Sequence, residues 1–220
     1  MRRIYLSVYL VVGITVTVVA LGYLLDSSFI NRIREFIGED VLLTFVLSLA
    51  LYALKPFIPI VPMPIMYFAL GVVLESGFVA FFTSITGLFV AHTFAYLMGR
   101  NRVGFVARVI SQTAFVRRLF TVLVQRPFFY TVVIRLSPII PLDSVSALCG
   151  AYRIKYSRYI LASVIGCLPS VFTVTVTGAV LDNGLSIPLF ISIFLMISSF
   201  MISLAVFIKT FSEMKRQTKA

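Results

Sequence analysis

Tryptophan is missing from this 220-residue chain, histidine occurs once and cysteine twice. Without Trp, any aromatic belts at a membrane interface must come from Tyr and Phe, present 10 and 21 times. A lone His92 supplies neither a His-based metal cluster nor a Ser-His-Asp triad. Cys149 and Cys167 each sit beside a glycine in an apolar run and read as small packing residues, not as a disulfide or a metal pair. No metal and no cofactor is expected. No nucleophile motif accompanies the scattered acids, so the chain is not read as an enzyme. Acidic residues are also scarce, 8 against 19 Lys and Arg, for a net charge of +11. In a soluble protein that excess would point to nucleic acid. Here no basic domain exists to hold one, and the excess reads as cytoplasmic Lys and Arg facing anionic lipid.

What is present is apolar: 60% hydrophobic residues and a mean hydropathy of +1.05. This predicts an all-α, multi-pass protein of the cell membrane. Four uncharged runs are long enough to cross: Ile4–Leu25, Ser76–Met98, Tyr159–Leu181 and Ile187–Ile208. The first, although it follows Met1-Arg2-Arg3, exceeds a signal h-region and lacks a clear cleavage site, so it reads as a retained span.

The chain also repeats itself at an offset of 79 residues. Pro59-Ile60-Val61-Pro62 returns as Pro138-Ile139-Ile140-Pro141, Gly71 as Gly150, Ser84 as Ser163, Gly87 as Gly166 and Gly99 as Gly178. Paired, Pro-interrupted apolar segments in two halves of a membrane protein mark inverted repeats around a transport site.

Loop charge orients the repeats. Loop 26–40 carries a net −2, loop 99–118 a net +5, loop 151–158 a further three basic residues, segment 182–186 only Asp182, and the C-terminal tail is basic. The basic loops are read as cytoplasmic, which puts both termini inside. The broken stretches 41–74 and 119–150 must then each return to their own side as re-entrant hairpins. The expected organisation is a first span and external loop (1–40), repeat one (41–99), a basic cytoplasmic loop (100–118), repeat two (119–181), and a last span with a cytoplasmic tail (182–220). Pro59, Pro62 and Gly71, with Pro138, Pro141 and Gly150, form the hairpin backbones. Proline removes a backbone donor and frees carbonyls, which membrane depth tolerates only against protein or water. The spans that follow carry small-residue stripes, Thr83-Gly87-Ala91-Ala95-Gly99 and Ala162-Gly166-Ser170-Val174-Gly178, read as close-packing faces. His92 beside the first stripe reads as a hydrogen-bonding partner for a neighbouring helix.

Ionisable residues inside the apolar segments are Lys55, Glu75, Arg126, Arg135 and Asp143. Each costs on the order of 2.5–3.5 kcal/mol at the bilayer centre unless paired or hydrated. Glu75 and Arg126 are placed near hairpin edges, where snorkelling lowers that cost. Arg135 and Asp143 bracket the second proline pair. Two readings stay open. Either they form a structural clamp, or Arg135 receives a phosphate headgroup while Asp143 titrates or competes for it.

The run from Arg135 to Gly178 resembles the DedA family, also called the VTT-domain or SNARE-associated family. The residues that carry this are Arg135-x-x-Pro138-x-x-Pro141, then Gly150, Tyr159, Gly166 and Pro169; in the first half they are the prolines, Gly71, Gly87 and Tyr96-Leu97-Met98-Gly99-Arg100. The resemblance implies two facing re-entrant hairpins and lipid translocation: polyprenyl-phosphate recycling in bacterial members, phospholipid scrambling in eukaryotic ones. Two family positions differ. Ile65-Met66 stands where an acid follows the first prolines, and Pro141 where a second Arg often lies. The chain thus resembles the branch that keeps R-x-x-P-x-x-P alone.

The expected function is a flippase or scramblase for a phosphate-bearing lipid, with Arg135, Asp143, Glu75 and Arg126 as substrate-binding candidates. A proton-coupled exporter of small ions and a non-transporting scaffold are the alternatives. Anionic or phosphate-bearing membrane lipids are the expected partners, a homo-oligomer stays open, and nucleic acid is not expected.

Overall fold

The computed structural model describes residues 40–58, 62–74, 76–104, 121, 123–136, 142–180, 198, 201 and 205. Among them every regular element is helical, as the composition requires. Helix α1 spans Val41–Leu54, α2 Met63–Leu74, α3 Gly77–Asn101, α4 Pro127–Leu136, α5 Leu142–Ala151 and α6 Tyr156–Ala179; a 3₁₀ turn, Lys55–Phe57, follows α1. The first predicted span, the loop 105–120 and all of the last predicted span but residues 198, 201 and 205 lie outside the described residues.

Local chemistry sets the boundaries. Asp40 caps α1, its Oδ1 accepting from Leu42 N at 2.9 Å and Leu43 N at 3.2 Å. Pro56 sits early in the 3₁₀ turn, where the helix cannot continue unchanged. Pro127 opens α4, a position that needs no N–H donor. Helix α5 closes with a Schellman motif: Ile154 N donates to Cys149 O and Arg153 N to Gly150 O, both at 3.0 Å. Arg153 occupies the left-handed position, φ 54°, which usually belongs to glycine.

Two helices, α3 and α6, are long and apolar enough to cross a bilayer, with 25 and 24 residues. They coincide with the predicted runs Ser76–Met98 and Tyr159–Leu181 to within three residues. The others, at 14, 12, 10 and 10 residues, reach only about 15–21 Å at ~1.5 Å per residue, short of a ~30 Å hydrocarbon core. Polar side chains share the interior with apolar ones, and large apolar side chains cover the outside. Ser146, Thr131 and His92 are fully buried, while Phe78 is 73% and Leu42 69% exposed. Such large apolar side chains face outward where the solvent is lipid.

The chain forms two compact units. The first holds residues 1–87 and 171–192, the second 88–170 and 193–220, so each long helix contributes to both units. In the first, α2 meets α6 at glycines: a Cβ on Gly71 would strike the Thr175 carbonyl, and one on Gly178 the Phe68 carbonyl. Tyr52 stacks on Tyr67 with ring centroids 6.3 Å apart, and Gly87 lies against the Tyr52 ring. In the second unit α5 meets α3 in the same way. A Cβ on Gly150 would strike the Tyr96 carbonyl, and one on Gly99 the Ala147 carbonyl. Adding 79 to Gly71 and Phe68 gives Gly150 and Ala147; subtracting it from Thr175 and Gly178 gives Tyr96 and Gly99. The two units therefore contain one crossing built twice, each time joining the short helix of one repeat to the long helix of the other. The core of the second unit gathers Tyr96, Leu123, Ile134, Val145, Cys149, Ile154, Tyr159 and Ile160. The stripe Thr83-Gly87-Ala91-Ala95-Gly99 is buried throughout, as its spacing predicts.

Candidate functional site

Arg135 ends the last turn of α4 with only 3% of its surface exposed. Its backbone is held against α6 at Gly166, where a Cβ would meet Arg135 Cβ and the Val132 carbonyl. Small residues at that crossing bring the guanidinium in among the elements of the second unit. There Nη1 donates to Leu142 O at 2.8 Å, and Nη2 donates to Ser146 Oγ at 2.7 Å and to Tyr159 Oη at 3.3 Å. Ser146 Oγ donates onward to Leu142 O at 2.9 Å, and Tyr159 Oη to His92 O at 3.2 Å. The guanidinium carbon lies 5.9 Å from the centre of the Tyr159 ring, a cation–π contact. Tyr159 is held in turn by stacking on Tyr96 at 5.0 Å, and Tyr96 Oη donates to Ile154 O at 2.7 Å.

All these partners are neutral. Among the described residues no carboxylate pairs with Arg135, and its buried Nε has no hydrogen-bond partner. Three of the five guanidinium donors are used. An arginine cannot discharge by losing its proton, so the site is a buried positive charge with donors in reserve. That is chemistry for an anion rather than for a cation. Among the described residues no group of His, Cys, Asp and Glu is placed to hold a metal.

The other predicted site residues are distributed as follows. Asp143 lies half-buried in the first turn of α5, where a carboxylate suits the helix dipole; the hydrogen bonds described for the Arg135 guanidinium go to Leu142, Ser146 and Tyr159 instead. Arg126 is exposed at the opposite end of α4, its carbonyl accepting from Tyr130 N at 3.1 Å. That is nine residues from Arg135, or about 14 Å along the helix, so the two arginines are not brought together. Glu75, Pro59, Pro138 and Pro141 lie outside the described residues. Pro62 immediately precedes α2, its carbonyl accepting from Ile65 N at 3.2 Å. Gly71 and Gly150 are buried at the helix crossings. His92 is fully buried, with Nε2 3.9 Å from Cys167 Sγ.

Sequence reasoning missed Ser146 and gave Tyr159 no role beyond its place in a pattern. One signal pointed to Ser146, a hydroxyl four residues after Leu142 on an apolar helix.

The VTT domain family matches residues 58–180, which is more than half of the chain. The chain belongs to the VTT-domain family. The resemblance carried by Arg135, Gly150, Tyr159 and Gly166 is thereby confirmed. No curated protein and no solved structure matches the chain. The VTT domain is associated with membrane transport, and together with the apolar helices it marks this chain as a membrane protein. The matched region contains both long helices, every residue that contacts the Arg135 guanidinium, and both glycine crossings.

Proposed function

We propose that this VTT-domain protein moves a phosphate-bearing lipid between leaflets, and that Arg135 receives the headgroup. The observation that carries the reading is the buried guanidinium with neutral partners only. A charge at membrane depth without a counter-ion is costly, and a phosphate would supply one through charge-assisted hydrogen bonds. The helices on either side of each proline-broken segment are too short to cross alone. This supports re-entrant hairpins whose breaks lie within the membrane, the arrangement that places freed backbone groups and half-helix ends beside a substrate. Both termini are then cytoplasmic, as the basic loops suggest.

The test is reconstitution into liposomes that carry fluorescent phosphatidic acid or phosphatidylcholine in one leaflet, with and without a pH gradient. Redistribution of the phosphate-bearing probes that depends on Arg135 supports the proposal. Proton or solute flux without lipid movement would replace it by an exporter, and inactivity in every format by a scaffold.

A further inference from the structure

Cations from two distant stretches of sequence meet at one end of the second unit. Arg100 and Arg102 stand where α3 finishes, and Arg153, Lys155 and Arg158 stand where α5 gives way to α6. All of them are exposed. The backbone fixes the meeting. A Cβ on Gly150 would lie 3.0 Å from Arg100 N, and Gly150 O accepts from Arg153 N at 3.0 Å. Tyr96 Oη, beside the Arg100 guanidinium, donates to Ile154 O at 2.7 Å, between Arg153 and Lys155 in the chain. A 2.7 Å hydrogen bond between the Thr93 and Tyr156 hydroxyls ties the same two helices. No carboxylate offsets the charge. Among the described residues of the second unit the only acid is Asp143, in the first turn of α5, which is about 10 Å along the helix from Gly150.

Membrane orientation asks only for Lys and Arg somewhere in a loop, and any exposed position would serve. Two features here ask for more. Arg153 keeps a left-handed backbone, φ 54°, at a helix end where glycine would avoid the cost; such costs are kept where a side chain has work to do. Arg100 is set beside the tyrosine whose hydroxyl holds the α5–α6 turn, so its charge stands at one place on the surface. The cations also border an apolar wall. Phe94, Leu97 and Val103 towards the end of α3, and Leu161 on α6, are 40% to 58% exposed. Acyl chains cover such a face, and cations at its rim stand at headgroup depth. A water-soluble acidic partner would meet the charge but not the wall.

We infer that this end of the second unit is a binding surface for anionic lipid headgroups, centred on Arg100, Arg153 and Lys155 and separate from the buried Arg135. Guanidinium forks suit phosphate oxygens, and an ammonium adds a point charge beside them. The surface selects by net charge, because it is open to solvent and its cations act together on whatever headgroup lies over them. It therefore enriches anionic lipid at one end of the protein, and it does so whether or not Arg135 receives a headgroup.

The experiment titrates the full-length protein, in a non-ionic detergent, with dioctanoyl phosphatidylglycerol and dioctanoyl phosphatidylcholine, read by native mass spectrometry as the ratio of the two affinities. Both lipids carry a phosphate, so the ratio reports net charge and not the Arg135 proposal. The wild type is expected to prefer phosphatidylglycerol, and added salt should shrink the preference because exposed charges are screened. Replacing Arg100, Arg153 or Lys155 by Gln should cut the preference about fivefold each, the worth of one basic residue near an anionic surface. The triple variant should bind the two lipids alike. Arg153→Lys should keep the preference, whereas Arg153→Gly should weaken it and melt no lower than the wild type, which a merely structural arginine would not do. Equal affinities in the wild type, or an undiminished preference in the triple variant, would overturn the surface. Should the triple variant fold poorly, an undiminished preference in all three single variants would do the same. A polyglutamate peptide that displaces phosphatidylglycerol from the wild type at lower concentration than the lipid itself binds would overturn the lipid assignment in favour of an acidic protein. Arg135→Gln should leave the ratio unchanged; a preference lost there and kept in the triple variant would place the selection at Arg135 and overturn the inference.

Discussion

Gly150 on α5 abuts the Tyr96 carbonyl on α3, leaving no room for a single added methyl group. Gly71 and the Thr175 carbonyl stand in the same relation. Gly150→Ala and Gly71→Ala should therefore each destabilise the protein by about 1–3 kcal/mol, the usual cost of overpacking. Thermal unfolding in detergent measures this. Gly104, which has open space around it, is the control, and Gly104→Ala should melt close to the wild type.

Arg135 should tolerate no substitution in function and should still permit insertion. Arg135→Lys keeps the charge but loses the fork that spans Leu142 O, Ser146 and Tyr159. It should lower lipid redistribution at least about tenfold, the equivalent of one charge-assisted hydrogen bond. Arg135→Ala should abolish redistribution, with membrane yield unchanged because insertion depends on the apolar runs. Wild-type redistribution by a folded Arg135→Ala protein would end the headgroup proposal.

Asp143 separates a titrating role from a structural one. Asp143→Asn removes the charge from the first turn of α5 and keeps its size. If the carboxylate tunes the site, redistribution should change its dependence on pH while the melting temperature holds. A lowered melting temperature with unaltered pH dependence would assign it to helix capping and packing alone.

Arg153 holds a left-handed conformation, φ 54°, at the end of α5. Glycine is at ease there and other residues are not. Arg153→Gly should raise stability by about 1 kcal/mol, read as a higher melting temperature. An unchanged or lower value would mean that the arginine side chain offsets the backbone cost.

Cys149 and Cys167 are fully or almost fully buried, so impermeant thiol reagents should leave the wild type unlabelled. Cysteines introduced at Ser28 and Gln112 should label from outside and inside respectively. Labelling of both from one side would contradict the opposed arrangement of the repeats.

Much of the fold was legible in the residues. Uncharged runs located α3 and α6 because crossing a bilayer demands length and apolarity, both local properties. The four-residue stripes marked Gly87, Gly99, Gly166 and Gly178 as contact points, since only small residues allow helix backbones to meet, whereas Gly71 and Gly150, paired by the 79-residue offset, were read only as hairpin backbone. Cost alone singled out Arg135, because a cation in an apolar segment needs a partner.

Tertiary structure decided which partner. Asp143 was the nearest acid in sequence, yet the described contacts of Arg135 are the Leu142 carbonyl, Ser146 and Tyr159. Neutral acceptors of this kind occur throughout the chain, and nothing in their spacing says which will converge on one guanidinium. The same holds for the glycines. A stripe encodes a face but not what lies against it, so the exchange by which α2 meets α6 and α5 meets α3 became visible only once helices distant in sequence were brought into backbone contact.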